Sequence, residues 1–334
     1  MNWRIGEKLK LLEGIREHET ASASAWPSVL ISVAGFHVRW RFRELSEASR
    51  LWLLAHWRGF VVDESADPTQ TALKADFEIH YLAQNSRASD EIWSDPIPVF
   101  HVDGQKLVCR DFAVWRDLHQ TIIVATGPQI DEAAIDTLDN LNNTLLAREL
   151  MRRDLGFPLH ASCVVKDGGA WVVFGPSGAG KSTFARLSYE REGTPVLAGD
   201  QLYVRYDSGR PVVWPATTRI PEFPIESEAR SLRPAPLVAA ARLDRSQPGG
   251  LWRDEKFRHH TAFLKEVLAF YFDSDLAQRV MTQVPSCFRR HAEVFRPLVM
   301  STRLQTNPWE LVRQSEAVDI LPSDRHHDCG EVKT

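Results

Sequence analysis

The sequence predicts an α/β protein: a phosphate-loop domain built on a mixed, partly antiparallel sheet, preceded by a smaller α+β domain. Three observations predict it. Residues 175–182 form a complete G-x-x-x-x-G-K-[ST] loop between an apolar run and a helix-like run. Short strand-like segments joined by tight turns follow that loop, and such connections suit antiparallel neighbours better than helical crossovers. Residues 1–130 hold several separate strand-like stretches together with two short helical stretches. With 334 residues the chain is long enough for two cores, because single cores stop growing near ~250–300 residues.

Taken in order, Arg4 to Arg16 carries Ile5, Leu9, Leu11, Leu12 and Ile15 at helical spacing. Val29–Ala34 and Phe36–Phe42 are strands parted by Gly35, the second alternating Phe36, Val38, Trp40 and Phe42 with His37, Arg39 and Arg41. A helix is expected at Ser46–Trp57, then strands at Phe77–Leu82, Val99–Val102, Lys106–Cys109 and Thr121–Ala125. Residues 131–155 read as a connector, in which Asp131–Arg153 has neither Gly nor Pro and repeats Ile135, Leu138, Leu141, Leu145, Leu146 and Leu150 at helical intervals. Gly156-Phe157-Pro158 reads as a breaker that opens the second domain, residues 156–320.

In that domain Leu159–Val165 and Ala170–Phe174 read as strands joined by the turn Lys166-Asp167-Gly168-Gly169. The loop Gly175, Pro176, Ser177, Gly178, Ala179, Gly180, Lys181, Ser182 follows, then Thr183, with a helical run from Ser182 to Glu192 before Gly193. Strands are expected at Pro195–Ala198, Leu202–Tyr206, Val212–Trp214, Leu237–Leu243 and Leu298–Leu304, and helices at Thr261–Tyr271 and Trp309–Arg313. Residues 321–334 form a polar tail, and His326-His327-Asp328-Cys329 within it reads as solvated terminus, not a metal site.

Composition excludes several classes. A hydrophobic fraction of 43% and a charged fraction of 25% are those of a globular protein. A net charge of -4 argues against nucleic acid as partner. Cys109, Cys163, Cys287 and Cys329 lack C-x-x-C spacing, so neither zinc nor a disulfide framework is expected, and reduced thiols in the cytoplasm fit best. No stretch approaches 18 apolar residues, so no membrane span is expected, and Met1–Lys8 is charged, unlike a signal peptide. The eleven tryptophans are assigned to core and edge packing.

The loop residues have defined work in phosphate binding. Glycines let backbone N–H groups turn inward around a β-phosphate, Lys181 brings charge to the β/γ oxygens, and the Ser182 hydroxyl is suited to Mg²⁺. Leu159-His160-Ala161 upstream and Val196-Leu197-Ala198-Gly199-Asp200 downstream add a histidine and a carboxylate. Together these segments resemble the HPr kinase/phosphorylase family, with its PEP carboxykinase-like P-loop domain, and most closely the HPr-kinase-related serine kinases acting on peptides. The resemblance is carried by residues 156–206, within a domain that extends to about 320.

It implies ATP and Mg²⁺ as cofactors and a protein or peptide with an acceptor serine as partner. His160 would then stand by the nucleotide to stabilise charge or relay a proton. The family places two adjacent acids where this chain has Gly199-Asp200-Gln201. Asp200 is therefore either the base for the serine, with the metal left to Ser182, phosphate and water, or itself a metal ligand with Ser182. With one acid in place of two, the forward transfer is the activity expected, not reverse phosphorolysis. Arg219, Glu222 and Arg303 are further candidates near the phosphates or metal, and Asp244 imitates the acid that ends a Walker-B strand. Alternatives are a regulatory nucleotide-binding module with weakened catalysis and a small-molecule kinase. Transport-ATPase and dehydrogenase readings lack their L-S-G-G-Q and G-x-G-x-x-G segments. The sequence leaves oligomeric state open.

Overall fold

The computed structural model describes residues 25–62, 75–84, 100–101, 106–108, 112–116, 122–128, 130, 135–218, 229–244, 250–253, 256–269, 274–301 and 307–314. The helix expected at 4–16 and the tail at 321–334 lie outside them. The described residues form a mixed α/β protein with two sheets.

The first sheet begins with β1 (Ser28–Val33) and β2 (Phe36–Phe42), an antiparallel hairpin. Its two turn residues, Ala34 and Gly35, both have positive φ, 51° and 73°, as the right-handed twist of a two-residue hairpin demands. α1 (Glu47–His56) follows, its first turn capped by the Ser46 hydroxyl, which accepts from the Ser49 N–H at 3.0 Å. β3 (Phe77–Gln84) runs parallel to β2, and β7 (Ile122–Pro128) runs parallel to β3. Between them in the chain, β4 (Phe100–His101), β5 (Lys106–Val108) and β6 (Ala113–Arg116) form an antiparallel meander, giving the order β1-β2-β3-β7-β6-β5-β4. The alternation expected of β2 is seen directly: Phe36, Val38, Trp40 and Phe42 are buried. Trp40 stacks on Phe42 at 5.8 Å between centroids and touches Trp57 at 5.3 Å, forming the centre of this core.

α2 (Ile135–Arg152) sits between two cores. Leu138, Leu141, Leu145, Leu146 and Leu150 pack with the first sheet, and Ala147 and Met151 pack with the second. A polar seam lies along the same helix. Asp139 accepts from His56 Nε2 at 3.0 Å and from Trp57 Nε1 at 3.1 Å, and Asn143 donates to Gln201 Oε1 at 3.2 Å and accepts from the Tyr203 hydroxyl at 2.5 Å.

The second sheet is organised by β8 (Gly156–Lys166). Its first half pairs with β11 (Gln201–Asp207), and its second half pairs with β9 (Gly169–Phe174) and β10 (Val196–Ala198), all antiparallel. β11 turns through Ser208-Gly209 into β12 (Arg210–Pro215), which pairs with the start of β13 (Ala235–Leu243). The rest of β13 runs parallel to β9, so β8, β9, β13, β12 and β11 close a five-strand ring. β15 (Leu298–Ser301) and β14 (Gly250–Arg253) extend the sheet beyond β13.

α3 (Lys181–Glu192) brings Phe184 and Ala185 into one core with Trp171, Val173 and Trp309, the last from α6 (Pro308–Gln314). α4 (Lys256–Leu268) and α5 (Ser274–Arg290) bring Phe263, Val267, Val280, Val284 and Phe288 into another core with Leu159, Ala161 and Phe174. Among the described residues, no helix is long and apolar enough to cross a membrane.

Gly156-Phe157-Pro158 departs from expectation: it is the start of β8, not a break. Among the described residues only β11 pairs with this half of the strand, so the missing Pro158 N–H costs nothing on the other side. Gly156 is required there, because its φ is 151° and a Cβ would fall 2.0 Å from the Val204 carbonyl oxygen. Gly156→Ala is therefore expected to lower the unfolding free energy by about 2–4 kcal/mol. Urea denaturation of the purified chain measures this, and an unchanged midpoint would contradict the close packing of β8 on β11.

Candidate functional site

The site is built where β8 changes partners. Ala161 lies opposite Phe174, the last residue of β9, and His160 lies opposite Gln201, the first residue of β11. The glycine loop and the turn at 199–200 therefore leave the sheet on either side of His160. That turn is pinned to β8 by two bonds. The Ala161 N–H donates to the Asp200 carbonyl at 3.0 Å, and the buried Ser162 hydroxyl donates to the Gly199 carbonyl.

The loop itself is set by backbone conformation. Gly175, Gly178 and Gly180 have φ of 146°, 76° and 107°. At Gly175 the reason is also steric, because a Cβ would stand 3.2 Å from the Leu243 carbonyl oxygen at the end of β13. Gly180 is the cap of α3 and offers no side-chain acceptor, so the first N–H groups of the helix point toward the loop without a capping side chain. Pro176, Ser177 and Gly178 are exposed, as is the Ser182 hydroxyl, while Ala179 and Thr183 are half-buried. Lys181 is buried, and its Nζ donates to the Gly175 carbonyl at 2.9 Å.

His160 holds two carboxylates at once. Its Nε2 is 2.9 Å from Asp200 Oδ1, and its Nδ1 is 2.7 Å from Glu266 Oε2 on α4. These bonds, with Asp200 the larger influence and Glu266 next, push the imidazole up to about 9 against the opposing effects of burial and Lys181. The same His160 bond holds the Asp200 carboxyl below its ordinary range. Burial lowers the Lys181 ammonium, and the negative charges of Glu266 and Asp200 counter that fall. Two cations and two anions thus share one electrostatic neighbourhood.

Of the residues expected from the sequence, Gly175–Thr183 with Lys181, His160 and Asp200 gather where β8 changes partners, beside the end of β9. Asp244 immediately follows β13, which runs parallel beside β9, but it is paired with Arg242 Nη1 at 3.2 Å. Arg219, Glu222 and Arg303 lie outside the described residues. Gln201, at the place of a second adjacent acid, is buried and its carbonyl is engaged by Asn143. Glu266 and Ser162 were not singled out by sequence. For Glu266 a signal existed: it lies three residues after Phe263 and one before Val267, both fully buried, so a carboxylate stands at the apolar edge of α4. For Ser162, inside an apolar strand, nothing in the sequence marks its bond to residue 199.

Cys163 and Cys287 are buried free thiols, and burial drives the first above its ordinary range and the second up to about 12. Neither is positioned as a nucleophile. Among the described residues, no cluster of three or more His, Cys, Asp or Glu has metal-binding geometry. No protein-family model matches the chain, and no curated protein matches it.

The arrangement presents buried and half-buried cations and helix N–H groups together with one exposed carboxylate, a donor set for phosphoryl oxygens beside a proton acceptor. Because the folded-state value of His160 is raised above the ~6.5 of an unfolded chain, its ion pairs stabilise the fold fully below ~6.5, and this stability is lost as pH rises through about 9. The stability gap between the native chain and His160→Gln is expected to be widest near about pH 6 and to close toward about pH 9. Urea unfolding across that window checks it, and a gap that widens with pH would refute the doubly paired imidazolium.

Proposed function

We propose that this chain is an ATP-dependent serine kinase of the HPr-kinase-like type, its second half a PEP carboxykinase-like P-loop domain that transfers the γ-phosphate of ATP to a serine of a protein or peptide. The observation that carries this reading is the meeting of three features where β8 changes partners: the 175–182 loop with its Lys181, His160 and Asp200. A glycine loop alone is shared by motors, transporters and kinases. A histidine–carboxylate pair beside it supplies the groups that phosphoryl transfer to a hydroxyl uses.

The donor set fits Mg²⁺. Ser182 and Asp200 are exposed hard-oxygen donors, and Mg²⁺ ordinarily takes one or two protein oxygens while phosphates and water complete its octahedron. When bound there, Mg²⁺ would neutralise charge on the phosphate oxygens. Lys181 would bind the β/γ oxygens by exchanging the Gly175 carbonyl for a better acceptor. His160, positively charged at neutral pH, would stabilise the transferring group.

In the transfer step the acceptor O–H bond breaks, an O–P bond forms and the bond from γ-phosphorus to the departing ADP oxygen breaks. Where Ser182, phosphate and water hold the metal, Asp200, the exposed carboxylate, orients that hydroxyl and accepts its proton late, since a loose transition state asks little of a base. The amino-terminal sheet would present the protein or peptide substrate. The cytoplasm, where ATP is abundant and thiols stay reduced, is the compartment this reading implies.

Purified chain with Mg²⁺ and γ-labelled ATP is expected to label a protein or peptide from its own cell at serine. Lys181→Ala should abolish labelling, and Asp200→Asn should lower it by about 10²-fold or more. Tight ATP binding without labelling of any acceptor would instead favour the regulatory module, and labelling only of small metabolites would favour the small-molecule kinase. An unchanged rate in Asp200→Asn would remove that carboxylate from the mechanism.

A further inference from the structure

The two carboxylates on His160 are not equivalent. Both ring nitrogens must donate to satisfy them, because each faces an acceptor-only carboxylate oxygen. The Glu266 side chain is 13% exposed, whereas that of Asp200 is 65% exposed. If Asp200 leaves the imidazole, water or a hard cation replaces the lost bond at little cost. If Glu266 leaves, a largely desolvated charge is stranded on α4 without its partner, which is strongly unfavourable. The ring is therefore held on one side and released on the other.

This asymmetry addresses the single adjacent acid at 199–201. Gly199 has no side chain, and Gln201 spends its carbonyl on Asn143. A second carboxylate is nonetheless present, brought to the same imidazole from 66 residues beyond Asp200 by the packing of Phe263 and Val267 against the sheet. Its charge also reaches Lys181, as that of Asp200 does.

We propose, on the kinase reading above, that Glu266 is the second acid of this site: a positioning residue that anchors His160 through Nδ1, so that Asp200 can leave Nε2 for the metal or the acceptor serine. The exchange couples two events. Departure of Asp200 gives the transfer step its carboxylate and also frees the Nε2–H as a donor to the transferring phosphoryl oxygens. Without the Glu266 anchor, the ring would follow Asp200 or turn about its own side-chain bonds, and the donor would be lost at the moment it is needed.

The test uses the full chain with ¹⁵N-labelled histidine, the His160 ring signals being assigned with His160→Gln. Titration with Mg²⁺–ADP is expected to shift the Nε2 resonance and leave Nδ1 in place. In Glu266→Gln the Nδ1 resonance should move before any nucleotide is added. For phosphoryl transfer, that variant should lose about 10- to 100-fold in kcat while its KM for ATP changes by less than about 3-fold. Movement of Nδ1 instead of Nε2 with Mg²⁺–ADP, or an unchanged kcat in Glu266→Gln, would overturn the proposal. The Mg²⁺–ADP titration needs no variant, so a poorly folded Glu266→Gln does not shield it. Absence of transfer by the native chain, with the Nε2 shift intact, would overturn the kinase reading and leave the anchoring by Glu266 standing.

Discussion

β8 is shared. Its eleven residues pair with β11 through His160 and with β9 and β10 from Ala161 onward, so one strand closes the ring of the second sheet. Everything at the site is referenced to that change of partner. The loop departs beside Ala161, the 199–200 turn is bonded to Ala161 and Ser162, and His160 stands at the junction. A backbone position held by ladders on both sides of the junction is among the least mobile in a fold. The catalytic geometry proposed for the site is thus set by strand register, while Asp200, Ser182 and the loop tip face solvent.

Around that junction the charges are arranged by depth. Lys181 and Glu266 are mostly removed from water, His160 is half-buried, and Asp200 is exposed. Buried charge persists only when opposed, and here each buried charge has its counter-charge in the cluster. The neighbourhood is neutral in sum, so under the proposed function a charged ligand would be accepted by exchanging partners, without opening the core.

Much of this was legible in the sequence because the deciding interactions are local. Alternation in β2, the apolar run of β9 and the glycines of 175–180 follow from backbone preferences of a few neighbouring residues. The parts that escaped depend on distant packing. β6 and β14 are four-residue strands whose pairing is supplied by β5 and β7 or by β15. α5 carries Pro285 inside it, which reads as an end in sequence but is accommodated in a helix fixed by Val280, Val284 and Phe288. α4 begins at Lys256, five residues before the expected Thr261, and ends at Leu268. For Glu266 the helix was foreseen while its rotation about the axis was not, since that depends on which face Phe263 and Val267 find.

The seam along α2 bears on inheritance. Asp139 is buried, and its acceptors are taken by His56 and Trp57 from the first sheet's side; four residues on, Asn143 is bonded to Gln201 and Tyr203 from the second's. An apolar helix would tolerate a new neighbour of roughly the right shape. This one would not: a foreign amino-terminal half would strand a carboxylate away from water, at a cost comparable to much of the stability of a whole domain. The two halves are therefore poor candidates for shuffling, and substitutions at positions 56, 57 and 139 are expected to be constrained together across lineages.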